Sequence, residues 1–106
     1  HAGLKALAGA CTEVAEWMIG SASTDDKLAG SYPFTTMMAV ATCGALMAKQ
    51  LRVAEAQGGT TPFLQAKIAS CRYYLDVMVP EALSLKGSAM AGGDLLYALD
   101  AEGVAA

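Results

Sequence analysis

Phe34-Thr35-Thr36-Met37-Met38-Ala39-Val40-Ala41-Thr42-Cys43-Gly44-Ala45-Leu46-Met47-Ala48 carries no charge on any face of a helix. A helix that is apolar all round either crosses a membrane or lies at the centre of a bundle. These 15 residues rise roughly 22 Å, short of the ~30 Å hydrocarbon core of a bilayer, which favours the bundle. The charge-free run reaches back to Leu28, but through Gly30, Ser31 and Pro33. A helix is therefore predicted from Pro33, with the proline in its first turn, to about Ala56. Lys49, Arg52 and Glu55 mark where it emerges into water.

The flanking segments supply the partners such a helix needs. Leu4, Leu7, Cys11, Val14 and Met18 step by three and four residues, the seam of a first helix from about Leu4 to Ile19. Gly20-Ser21-Ala22-Ser23 ends it, and Thr24 is expected to cap one isolated turn through Asp25, Asp26 and Lys27. After the loop Gln57-Gly58-Gly59, Thr60 or Thr61 caps a third helix with Pro62 in its first turn. Leu64, Ile68, Cys71, Leu75 and Met78 form its seam, and the register runs on through Ala82, Leu85 and Ala89 across Pro80. A mid-helix proline bends or splits a helix, so this one is predicted to kink or restart near Pro80. Asp94 is expected to cap a short last helix through Leu95, Leu96 and Leu99. The fold class is all-α, an antiparallel four-helix bundle.

Composition agrees. The 106 residues are 55% hydrophobic and 16% charged, which excludes a disordered chain. Twenty-two alanines and twelve leucines against six valines and two isoleucines favour helix over sheet. A net charge of −3 argues against nucleic acid as a partner. Residues 1–3 read as a tag remnant and linker, with residues 4–106 as one domain. His1, the only histidine, is expected to take no part in chemistry. Cys11, Cys43 and Cys71 are too few and too far apart for a metal site and read as buried reduced thiols of an intracellular protein, an expectation that favours the cytoplasm.

The residues offer little catalytic material. Gly58-Gly59 and Gly92-Gly93 lack the spacing and the preceding strand of a phosphate loop. Without an internal histidine there is no di-metal Glu-x-x-His set and no nucleophile–histidine pair. Glu13 with Glu16, Asp25 with Asp26, and Glu81 after Pro80 read as a solvated face and as helix starts. The most suggestive cluster lies on the third helix: Arg72, expected to pair with Asp76 four residues on, beside Tyr73 and Tyr74. With Lys67 these residues form a candidate docking surface, because tyrosine and arginine are enriched in interface hot spots.

That same stretch, Leu64-Gln65-Ala66-Lys67-Ile68-Ala69-Ser70-Cys71-Arg72-Tyr73-Tyr74 followed by Val79-Pro80, resembles the third helix of a C-terminal domain. The domain is that of the long bacterial acyl-CoA dehydrogenases, the group that includes 3-methylmercaptopropionyl-CoA dehydrogenase. Leu28 to Phe34 is similar to the Gly-x-x-Pro start of the family's second helix, and Asp94 to Asp100 to its last element. The likeness runs from about Leu4 to Val104. It departs at Ala45, where a larger side chain often follows the helix-two glycine, and at Gly103-Val104, where the family often carries an aromatic.

The resemblance implies a parent enzyme that oxidises an acyl-CoA thioester between its α and β carbons. A glutamate base removes the α proton and FAD accepts the β hydride, both upstream in the dehydrogenase core. No catalytic, cofactor-binding or metal-binding residue is carried over to this chain. The expectation is an accessory domain that docks on the dehydrogenase core of the same chain or on a neighbouring subunit of a homo-oligomer. The alternative is an independent helical module for self-association or protein binding. Direct binding of an acyl chain within the bundle is a third and weaker reading.

Overall fold

The computed structural model describes residues 1–105. Helix accounts for 83% of the chain and no strand occurs among the described residues, so the all-α bundle expected from the sequence stands. α1, Ala2–Gly20, buries Leu7, Ala10, Cys11 and Val14, with Leu4 and Met18 packed beside them, as the seam predicts. His1 is not idle. Its Nδ1 accepts the Leu4 N–H at 3.1 Å as the N-cap, and its Nε2 lies 3.1 Å from Asp76 Oδ1.

α2, Thr24–Ala56, is 33 residues long and about 50 Å in length. The expected break at Gly30–Pro33 does not occur. Ser23, not Thr24, caps the helix: its hydroxyl accepts the Asp26 N–H while Asp26 Oδ2 accepts the Ser23 N–H, a capping box. Pro33 then sits inside the helix, where it removes one backbone bond. Hydroxyls serve neighbouring carbonyls there, Ser31 Oγ donating to Leu28 O at 2.8 Å and Thr35 Oγ1 to Ser31 O at 2.7 Å. Tertiary contacts at Asp26, Gly30 and Met37 hold the helix on both sides of the proline.

Gly58 and Gly59, with φ of 91° and 59°, supply the left-handed turn that reverses the chain. Thr61 then caps α3, Pro62–Tyr73, its hydroxyl accepting the Leu64 N–H at 3.2 Å. A π turn follows, Tyr74–Met78, closed by the Val79 N–H on Tyr74 O. It lies just before Pro80, whose ring has no N–H and crowds the preceding turn. The extra residue moves the seam: Val79 is fully buried and the expected Met78 is 38% exposed. α4, Val79–Leu83, bends near Ser84-Leu85 into α5, Lys86–Ala89. The expected last helix is a 3₁₀ turn, Asp94–Tyr97, with no side-chain cap and no buried residue, followed by α6, Ala101–Ala105.

α1 runs antiparallel to α2, with Leu4 against Gly44 and Met18 against Gly30. The arm from α3 to α5 is also antiparallel to α2, with Lys67 on Gln50, Val79 near Gly44 and Ala89 against Gly30. Leu7, Val14, Met37, Leu75 and Val79 make the fully buried core where the three meet. The Cα radius of gyration is 18.5 Å, where a compact chain of this size has about 13 Å. The Cα atoms span 63 × 33 × 15 Å. The thinnest direction is about two helices deep, so each helix keeps a solvent face.

Candidate docking face

α2 occupies the centre of the bundle, yet only one side of it is covered. Gly30, Met37, Gly44 and Ala54 point inward. On the opposite side Leu28, Tyr32, Thr35, Ala39, Thr42 and Leu46 recur at alternating steps of four and three, and all are exposed. Tyr32 is 82%, Leu28 67% and Leu46 56% accessible. The stripe holds no charge until Lys49, and Val53 extends it. The uncharged sequence predicts burial all round; the thin cross-section leaves half of that surface uncovered.

At its C-terminal end the stripe meets an open cleft of about 380 Å³ between α2 and α3, lined by Val53, Ala54, Phe63 and Leu64 together with Lys49, Gln50, Gln57 and Lys67. Phe63 is 73% exposed.

Of the residues singled out on the third helix, Arg72 and Tyr73 are exposed and Lys67 and Tyr74 are half-buried. Lys67 Nζ donates to Gln50 Oε1 at 2.9 Å, tying α3 to α2. Arg72 pairs with Glu55 at 2.9 Å instead of with Asp76, which takes His1. Tyr74 is half-buried against the core, and burial first, then the neighbouring Cys43, raise its phenol above the ordinary range. Tyr73 alone of the four is an exposed aromatic. The sequence signal for the α2 stripe was its lack of charge, which reads equally as core.

Cys11 and Cys71 are buried; burial pushes the Cys11 thiol up, and Cys71 Sγ lies 3.9 Å from Met47 Sδ. Cys43 departs from the expectation of buried thiols and is exposed on α2. Among the described residues no three His, Cys, Asp or Glu side chains gather for a metal, and no helix is long and apolar enough to cross a membrane. A flavin cradle does not fit these residues. At the two glycine turns the Gly58 N–H is taken by Glu55 O and the Gly93 N–H by Asp26 Oδ1, so neither turn offers a run of converging N–H groups to a pyrophosphate.

The arrangement defines an all-helical domain whose most distinctive feature is an exposed apolar helix face. The chain belongs to the family described as acetyl-CoA dehydrogenase C-terminal like, whose model matches residues 1–100. No curated protein and no solved structure matches the chain.

Proposed function

We propose that this chain is an accessory docking domain of a FAD-dependent acyl-CoA dehydrogenase. The flavin and the glutamate base belong to the dehydrogenase core, outside these residues. The domain packs on that core, or on a neighbouring subunit of a homo-oligomeric enzyme in the bacterial cytoplasm, and so supports the acyl-CoA site. The observation that carries this reading is the charge-free outer face of α2, exposed over six successive stripe positions from Leu28 to Leu46. Monomeric proteins rarely leave contiguous apolar surface uncovered without an interaction to use it. Lys67, Arg72 and Tyr73 flank the interaction: the first two fix α3 on α2, and Tyr73 offers an exposed aromatic anchor.

Dye-coupled acyl-CoA turnover of the full-length enzyme, with and without this domain, tests it. Loss of turnover with FAD still bound is the expected result. Turnover unchanged by removal of the domain overturns the reading and favours an independent interaction module.

A further inference from the structure

We propose that the outer face of α2 pairs antiparallel with the same face of a second copy of this chain, about a two-fold axis at Ala39. This rests on the docking reading and names the occupant of the face.

Three observations carry it. The stripe is spaced like the seam of paired helices, with alternating steps of four and three. Its middle is small, Thr35, Ala39 and Thr42, and its ends are large, Tyr32 and Leu46. A two-fold at Ala39 brings the small centres together and sets Leu46 of each copy opposite Tyr32 of the other.

The charges at the two ends of α2 oppose each other. Asp25, Asp26 and Asp94 outnumber Lys27 at its N-terminal end, since Asp26 Oδ1 accepts the Gly93 N–H and so brings Asp94 near. Lys49, Arg52 and Lys67 gather at its C-terminal end, where Arg72 is already paired with Glu55. Antiparallel pairing places acidic end on basic end, whereas parallel pairing stacks like on like.

The cleft supplies the third. Antiparallel pairing sets Leu28 of one copy opposite Gln50 of the other, over the hollow between Val53 and Phe63. Filling a cleft at each end adds to the surface that the stripe covers, in the direction of the ~1,200 Å² at the low end of stable interfaces.

The test is disulfide trapping in the full-length protein, in a Cys43→Ser background. Ala39→Cys places two thiols on the axis and is expected to form an intermolecular disulfide under mild oxidation. Val53→Cys, similarly exposed, lies about 42 Å from its mate in the antiparallel pair and is expected to stay reduced. Leu46→Lys buries a charge in the pair and is expected to cut trapping through Ala39→Cys by about tenfold. If both cysteine variants cross-link, the pairing is parallel and the inference fails. If neither does, no second copy sits on the face and the inference fails. Turnover of Leu46→Lys then separates the two readings. Reduced turnover means the face covers the core of its own chain and docking survives; unchanged turnover removes the docking reading as well.

Discussion

Gly30 of α2 lies directly against the backbone carbonyl of Ala89 at the end of α5, with Met18 closing the third side. A methyl group on Gly30 overlaps the Ala89 oxygen, and the obstacle is main chain, which cannot rotate away. Gly30→Ala is therefore expected to force α5 off α2 and to destabilise the domain by about 1–3 kcal/mol, although alanine is the better helix former. Urea unfolding of the two proteins measures it. Equal midpoints would mean that the α2–α5 contact is not as close as described.

Gly44 makes the opposite case with the same chemistry. A Cβ there would lie 2.7 Å from Leu4 Cδ1 and 3.4 Å from Val79 Cγ2. The nearer atom is the tip of a leucine, which has other rotamers. Alanine also gains ~0.8–1.0 kcal/mol of helix propensity over glycine. Gly44→Ala is expected to leave the unfolding midpoint within about 1 kcal/mol of the parent, and a loss as large as that of Gly30→Ala would show Leu4 to be locked.

Asp26 closes two elements at once, its Oδ2 on the Ser23 N–H and its Oδ1 on the Gly93 N–H at 2.8 Å. The Gly93 bond first, then those to Ser23, hold its pKa below the usual carboxylate value. A depressed folded-state pKa stabilises the fold above the unfolded value and loses that contribution as pH falls through the folded one. The stability gap between the parent and Asp26→Asn is thus expected to be constant near neutrality. It should narrow below the ordinary aspartate pKa of about 3.9. Thermal melts at several pH values follow the gap; one that widens with acid contradicts the assignment.

The π turn changes which residue of the Met78-Val79 pair carries the core. Val79 is fully buried and Met78 is 38% exposed. Val79→Ala is expected to cost about 2 kcal/mol, and Met78→Ala under ~1 kcal/mol. A regular α-helix through Tyr74–Met78 predicts the reverse order, so chemical denaturation of the two variants distinguishes the registers.

These pairs also mark where the sequence stops being informative. Leu7, Cys11 and Val14 lie in the core as their spacing demands, because a short amphipathic helix on a bundle needs only one rule. Pro33 misled, since Gly30-Ser31-Tyr32-Pro33 has the composition of a helix boundary while the true boundary is a side-chain box at Ser23 and Asp26. What carries α2 past the proline is contact with Ala89 and Gly93, more than fifty residues away, which no local pattern encodes. Arg72 has two carboxylates within reach, and helical spacing named Asp76 where the fold supplies Glu55. The face of α2 was legible as apolar, but whether an apolar face is covered depends on how many helices surround it.

Leu46 and Arg72 finally separate docking from stability. Leu46 is 56% exposed, so Leu46→Lys is expected to move the stability of the domain by no more than ~0.5 kcal/mol. Arg72 holds Glu55 across α2 and α3 in an exposed pair, and Arg72→Ala is expected to lose about 0.2–1 kcal/mol. On stability alone the upper limit of the cost is the higher for Arg72. On turnover of the full-length enzyme the order reverses, because a lysine on a covered apolar face is desolvated while a solvated ion pair beside it is not. Measuring both variants by unfolding and by turnover gives two rankings. If Arg72→Ala is the more damaging in both, the third helix carries the contact and α2 does not.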